Sequence, residues 1–365
     1  MIILIDPWAS SSVDYDKLVN QFGIQKISDM IEDIENPEKL MERGVVFGHR
    51  DFNEINKNMK NNEDFAVVTG MMPSGQMHIG HKMVVDQLKW YQDKGAMLSL
   101  PIADMESYAA RSMSFEKARQ IAVDEYLTNY IALGLDLSRD NVNVYLQSEN
   151  DSLHDLAFKA SKKVNFNQLK AIYGFTESTN IAHVQAPLMQ VADILLPQIE
   201  EFGGPKRVVV TVGIDQDPHL RLTRDIVAKF SDELGYITPA STYHRFLTGL
   251  SGDKMSSSKP STAIYLNEDS KTAAKKVKTA KTGGRESLKE QQELGGEVDK
   301  CVVYEMLVYH LIDDDKELEK IRSECLNGTL RCGDCKMMAS ELMEEFFDDL
   351  SERQEEAHEI AETLI

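Results

Sequence analysis

The chain has 365 residues, 42% hydrophobic and 27% charged, an ordinary globular composition long enough for two or three domains with substantial cores. No stretch of about 18 apolar residues occurs, so no membrane span is expected, and the start MIILIDPWAS lacks the basic flank of a secretion signal, which leaves the cytoplasm as the expected compartment. A net charge of −20 excludes a uniformly basic nucleic-acid binder. It does not exclude a local basic patch, because affinity for phosphate depends on the few groups that displace counterions there.

Residues 1–64 read as a mixed N-terminal segment, in which Ser12 or Asp14 can cap a helix beginning near Tyr15. Phe65, Val67 and Val68 then form a β-branched and aromatic run, Gly70 to Gly75 supply a loop, and Met83, Val84, Leu88 and Tyr91 recur at helical spacing. Gly95 stops that helix, and MLSLPIAD at 97–104 reads as another strand, which gives the first half of a Rossmann-like parallel sheet. The loop MPSGQMHIGH at 72–81 opens a helix whose backbone N–H groups aim at phosphate. Gly80 lets a nucleotide come close to the backbone, while His78 and His81 can bond phosphate oxygens as charge builds on them. Two histidines three apart are equally what an ordinary surface or a metal site carries.

Farther along, VVVTVGIDQ at 208–216 has the composition of a buried parallel strand, with Asp215 and Gln216 at its C-terminal end. Glu106 also follows a strand end. Three strands therefore converge Thr69 with Gly70, Glu106, and Asp215 with Gln216 on the crevice where open α/β sheets bind ligands. Any one of these acids is also compatible with a helix cap or the surface. In HVQAPLMQVADILLP at 183–197, Gln190 and Asp193 are three apart, so both face one side of a helix. GDKMSSSKP at 252–260 offers one ammonium and several hydroxyl and N–H donors, or else a solvated serine linker.

After Tyr265 the pattern is helical. Lys271, Lys275, Lys276, Lys278, Lys281 and Arg285 form a basic patch, or merely a solvated helix face. The acid-rich stretch from Glu341 to Glu362 carries an apolar stripe of Leu342, Phe346, Phe347 and Leu350, which predicts an amphipathic terminal helix packed on its own domain. All four cysteines, Cys301, Cys325, Cys332 and Cys335, fall in one C-x23-C-x6-C-x2-C array. A disulfide framework does not suit a cytosolic protein of this size, which leaves zinc, an iron–sulfur cluster, or four buried thiols.

The pairing of the His-Ile-Gly-His loop with the downstream Lys-Met-Ser-Ser-Ser loop closely resembles the signature of class I aminoacyl-tRNA synthetases. Stretches running almost end to end resemble the tryptophanyl-tRNA synthetases of archaeal and eukaryotic type: Asp6-Pro7-Trp8, VDYDKL at 13–18, KKVNFNQLKAIYGFTEST at 162–179, GIDQDPHLRLTRD at 213–225 and TGGRESLKEQQELGG at 282–296. The resemblance implies a Rossmann catalytic domain at 65–262, with a largely helical insertion between Glu106 and Arg207 that carries a homodimer contact. It implies a helical anticodon-binding domain at 263–365. ATP, with Mg2+, would meet Thr69, Gly70, Pro73, Ser74, Gly75, His78, Gly80, His81, Lys254, Met255, Ser256, Ser257 and Ser258, with Asp215 near the ribose. His78, His81 and Lys254 would stabilise the departing pyrophosphate. Glu106, Gln190 and Gln216 would hold the amino acid's α-amino and carboxylate groups.

In the side-chain pocket the chain departs from the family. The eukaryotic-type enzymes bind the indole with a tyrosine and a glutamine, and Val68 and Pro101 stand in those places. Asp193 then becomes the expected indole acceptor, as bacterial relatives use an aspartate in a similar context. Tyrosyl-tRNA synthetases also have Gln-x-x-Asp, but usually add tyrosines where Val68 and Ala186 stand. Some tryptophanyl enzymes bind a 4Fe-4S cluster through C-x22-C-x6-C-x2-C, one residue shorter in its first gap than this array. The resemblance thus implies L-tryptophan and tRNA(Trp) as partners. A small-molecule adenylyltransferase would leave the second loop and the helical region unexplained, and a silent tRNA-binding paralogue should have lost His78, His81 or Lys254.

Overall fold

The computed structural model describes residues 15, 19, 22–230, 235–253, 255 and 260–365. The expected cap at Ser12 or Asp14 lies outside them. Strands β1 (Gln25–Lys26), β2 (Val46–Arg50), β3 (Phe65–Val68), β4 (Met97–Ile102), β5 (Val142–Leu146), β6 (Arg207–Gly213) and β7 (Ala240–His244) form one sheet in the order β1-β2-β7-β6-β3-β4-β5. From β7 to β5 every pairing is parallel, whereas β2 and β1 add antiparallel at the β7 edge.

The chain leaves β3 through helix α1 (Lys82–Asp93), builds β4 and β5 on one side, and returns to place β6 on the other. Strand order therefore reverses at β3, which makes the β3/β6 boundary a topological switch point. Every residue of β3 is buried, as a strand covered on both faces requires. Gly95, at φ +83°, takes the left-handed conformation that closes α1, as its position in the sequence indicated.

Between β4 and β6 lie helices α2 (Asp104–Arg111) and α3 (Ile181–Leu195), with several shorter helices. Asn180 caps α3 by accepting the His183 N–H at 2.8 Å. The expected helical insertion thus also contains β5, a full member of the sheet. After β6, α4 (Asp217–Phe230) returns the chain to β7.

No strand follows Tyr265 among the described residues. Helix α5 (Ser270–Thr279) packs along the long terminal helix α6 (Cys332–Ala361). The terminal helix does more than cover its own domain, in contrast to the sequence expectation. It also packs on the helix Thr128–Ala132 within the insertion, and Gln354 Nε2 donates to Asn129 Oδ1 at 2.8 Å and to the Leu266 carbonyl at 3.0 Å. One hydrophobic core, to which the stripe residue Phe347 belongs, runs through both regions.

Residues before position 64 are tied to the sheet by a buried ion pair. Arg50 on β2 reaches Asp217 at the start of α4 at 3.0 Å, and the Tyr243 hydroxyl on β7 donates to the same Asp217 oxygen at 2.6 Å. Asp217 is fully buried, so removing Arg50 leaves a charge that water cannot reach. Arg221 still pairs with its other oxygen at 2.9 Å. Arg50→Ala should therefore lower stability toward the bottom of the range of about 3–5 kcal/mol seen for broken buried pairs. Urea unfolding followed by far-UV circular dichroism should show the midpoint falling.

Candidate functional site

The C-terminal ends of β3, β4 and β6 open onto a cavity of about 310 Å3, within the size range of small-molecule sites. Val68, Thr69 and Gly70 come from the end of β3, Pro101 and Ala103 from that of β4, and Val210 and Val212 from β6. Glu106 on α2, Gln190, Asp193 and Ile194 on α3, and Gln216, His219 and Leu220 around the start of α4 complete most of the wall. The structure thus gathers Val68, Thr69, Gly70, Glu106, Gln190, Asp193 and Gln216 around one space, although they come from stretches far apart in the chain.

Close packing at the cavity floor demands glycine. A Cβ on Gly70 would lie 2.8 Å from Pro101 Cγ, so β3 and β4 meet there only because residue 70 has no side chain. Thr69 donates its hydroxyl to the Thr211 carbonyl at 3.2 Å, which ties the same corner to β6. Gln190 Nε2 donates to Glu106 Oε2 at 3.0 Å, so the two polar groups expected to meet an amino acid's charged end already stand together.

Asp193 sits deeper, 4% exposed. Burial raises its carboxyl from the ordinary carboxylate range to about 7, and the nearby Glu106 and Asp104 push in the same direction. Two donors oppose that rise: Gln147 Nε2 at 2.6 Å and the Tyr145 hydroxyl at 2.9 Å. His219, with Tyr173 at hydrogen-bond distance of 3.0 Å, is pushed down to about 3 by burial and is neutral. Sequence reasoning missed His219, Tyr145 and Gln147. The signals were present: His219 falls one helical turn after Gln216, and Tyr145 and Gln147 flank a strand end as Glu106 does.

The phosphate-type loop lies beside this cavity. The rings of His78 and His81 stack with centroids 3.9 Å apart, and the His78 backbone N–H donates to His81 Nδ1 at 3.0 Å. A Cβ on Gly80 would come within 2.9 Å of the His78 ring. Ser107 holds the Pro73 carbonyl at 3.1 Å, Ser74 is within reach of Tyr126, and a Cβ on Gly75 would meet open space. Asp215 is half-buried beside Gly213, next to the cavity residue Gln216.

The loop is bound to the chain beyond the serine-rich segment. Ile79 N–H donates to the Ile264 carbonyl and Leu266 N–H to the Met77 carbonyl, both at 2.9 Å, and His78 and Tyr265 form an antiparallel bridge. Met255 is buried in the main core, with its N–H on the Leu247 carbonyl at 3.0 Å. Lys254, Ser256, Ser257 and Ser258 lie outside the described residues.

Chemically, the arrangement offers one cavity lined both by apolar side chains and by Glu106, Gln190, Asp193 and Gln216, with a phosphate-type loop beside it. The model of the tRNA synthetases class I (W and Y) matches residues 59–348. The chain is 54% identical to a tryptophan–tRNA ligase of Methanocaldococcus jannaschii, over 99% of this chain and 98% of that one. The chain belongs to the class I tRNA synthetases of the W and Y type. Among solved structures, the synthetase is similar to the tryptophanyl-tRNA synthetase of Aeropyrum pernix, with a TM-score of 0.91 and 43% identity over 98% of both chains. It is also similar to the Encephalitozoon cuniculi enzyme solved with tryptophan, with a TM-score of 0.83 and 31% identity over 95% and 96% of the two chains. A family match that extends into the helical region leaves no room for the adenylyltransferase alternative.

In that helical region of the synthetase, Lys271, Lys275, Lys278 and Lys281 are exposed. Lys276 and Arg285 are committed elsewhere, Lys276 to Glu268 and the Ala263 carbonyl, Arg285 to the Gly295 carbonyl. Burial and the three other thiols raise the Cys335 pKa to about 12, so Cys301, Cys325, Cys332 and Cys335 stand close enough to feel one another's charge. No three or more His, Cys, Asp or Glu side chains among the described residues are arranged to hold a metal ion, which counts against the iron–sulfur and the zinc readings of the array alike. No helix among the described residues is long and apolar enough to cross a membrane.

Gly80→Ala should displace the His78 ring and slow amino-acid-dependent ATP–pyrophosphate exchange by about 10² or more, the scale of losing one transition-state donor. Circular dichroism and the unfolding midpoint should stay near those of the parent.

Proposed function

We propose that this synthetase activates L-tryptophan with ATP and transfers it to tRNA(Trp) in the cytoplasm. The observation that carries the choice of amino acid is the near-full-length identity of 54% to a tryptophan–tRNA ligase. In this reading the tryptophan carboxylate attacks the α-phosphorus of ATP, pyrophosphate leaves, and the terminal ribose hydroxyl of tRNA then takes the aminoacyl group. No covalent enzyme intermediate is needed, so the protein's part is positioning and electrostatics.

Glu106, Gln190 and Gln216 hold the α-amino and carboxylate groups at the cavity mouth. The indole enters between Val68, Pro101, Ile194 and Val210, where Asp193 accepts its N–H. Supporting this, Asp193 shares the cavity with the apolar side chains of Val68, Pro101, Ile194, Val210 and Leu220. The ATP triphosphate runs from Thr69 and Gly70 along Pro73, Ser74 and Gly75 to His78, Gly80 and His81, with Asp215 on the ribose. Mg2+ accompanies the phosphates, as is usual for them, and Lys254 with its neighbours Met255, Ser256, Ser257 and Ser258 closes over the pyrophosphate. Lys271, Lys275, Lys278 and Lys281 contribute phosphate contacts to tRNA. A homodimer joined through the insertion is supported by the exposure of Phe158 and Ile181, both aromatic or aliphatic side chains largely open to solvent.

The cysteine array is read as an iron–sulfur site. What supports this reading is that the four thiols stand near enough to influence one another electrostatically, as the ligands of a four-thiolate cluster must. Two of the sulfurs sit close against glycine backbone: a Cβ on Gly284 or Gly296 would approach Cys332 or Cys325 Sγ to 3.0 or 2.7 Å, so a side chain at either position would crowd the sulfur. Bound there, the cluster would order the helical domain.

ATP–pyrophosphate exchange run with each of the twenty amino acids tests the reaction and the substrate together. Tryptophan should support exchange, and tyrosine-dependent exchange would overturn the assignment. Absence of exchange with every amino acid would point to the silent paralogue. Lys254→Ala should slow single-turnover adenylation by about 10² to 10³ while leaving tryptophan binding intact, because its contact develops only in the transition state. For the cysteines, protein purified without oxygen should contain about four irons per chain. Metal analysis finding stoichiometric zinc, or neither metal, would reject the cluster.

A further inference from the structure

Asp193 is unusual in that both of its oxygens are already engaged from one place. The strand β5 and the residue just beyond its end supply two donors, the Tyr145 hydroxyl to Oδ1 at 2.9 Å and Gln147 Nε2 to Oδ2 at 2.6 Å. Tyr145, Gln147 and Asp193 are 8%, 1% and 4% exposed. Gln147 makes this bond although its own Oε1 is then left buried with no hydrogen-bond partner. An unmet buried acceptor costs about 1–3 kcal/mol, so the bond to Asp193 must be worth more than a passive packing contact.

We propose that Tyr145 and Gln147 are positioning residues that hold Asp193 as a fixed, acceptor-only carboxylate, and that this determines the site's preference for a ring N–H donor. The inference rests on the reading of Asp193 as the indole acceptor. An ionised carboxylate carries about four lone-pair sites, so one donor on each oxygen still leaves capacity for a ligand N–H. A protonated carboxyl would turn one oxygen into a donor, and an indole N–H cannot accept from it. The two donors therefore stabilise the protonation state that fits the substrate.

The surroundings make that state precarious. Asp104 and Glu106 on α2 face Asp193 with like charge, and burial adds to their effect. From α4, His219 is neutral and supplies no compensating charge, while Arg111 lines the cavity from the end of α2. On α3 itself, Gln190 has its amide directed to Glu106. With the carboxyl at about 7, the free enzyme holds Asp193 largely ionised only above neutrality. Its folded-state pKa is raised, so tryptophan capture increases as pH rises through that value and is lost as pH falls below it. Removing either donor moves the midpoint higher.

The test is the pH profile of kcat/KM for tryptophan in ATP–pyrophosphate exchange, taken from about pH 5.5 to about 9, where such profiles report free-enzyme pKa values. Tyr145→Phe removes one oxygen and keeps the ring, and Gln147→Met provides a second variant of similar size. Each should shift the midpoint to higher pH and lower kcat/KM about tenfold or more near pH 6.5, through KM and not kcat, with the KM for ATP unchanged. An unchanged midpoint overturns the proposal. So does a loss that is equal at every pH, since that is what mere structural damage would produce. Asp193→Asn in the parent separates the two ideas. If it activates tryptophan normally, the acceptor reading itself fails; if it loses tryptophan while both donor variants keep the parental profile, only the positioning role fails.

Discussion

The reversal of strand order at β3 is the constraint on which the site depends. Parallel strands need long crossovers, and the chain places the first two crossovers on one side of β3 and the next on the other. Loops leaving β3 and β6 therefore turn away from each other and open a crevice that no side chain from a neighbouring loop has to fill. The floor of that crevice is sealed by the contact between Gly70 and Pro101, and its far wall by α3. Both follow from the same topology, because α3 belongs to the crossover that carries the chain from β5 back to β6.

Placing charge in this crevice has a cost that the structure distributes over several elements. Glu106 is met by Gln190 from the next crossover, and Asp193 by Tyr145 on β5 and Gln147 just beyond it, so each buried carboxylate has donors from another element. Unpaired, such groups would be neutralised or would destabilise the fold. The same economy appears at Asp217, where Arg50, Arg221 and Tyr243 converge on one carboxylate and bind the N-terminal strands to the sheet.

The two signature loops are also coupled through the backbone. Residues 264–266 pair with residues 77–79, so the segment that follows the lysine–serine loop is anchored directly to the histidine loop. Met255, buried in the shared core, fixes one point inside the second loop. The terminal helix α6 extends this continuity by packing on both α5 and the insertion. The catalytic and helical regions thus share a hydrophobic core, which is why a strictly local reading of the acidic tail assigned it too narrow a role.

The sequence by itself determined the chemistry-bearing loops, the strands β3, β4 and β6, and the convergence of Glu106 and Gln216 on one crevice. These are local properties: a β-branched run, a glycine stop, a strand end followed by an acid. The segment containing β5 was not legible, because VNVYL alternates only weakly and its role depends on pairing with β4. Consequently Tyr145 and Gln147 went unnoticed, as did His219. Their significance lies in which distant groups they touch, and no spacing along the chain encodes that. Asp193 shows the division most clearly. Its register with Gln190 on one helix was readable from the sequence, but its burial and its two donors exist only once that helix has packed back against the end of β5.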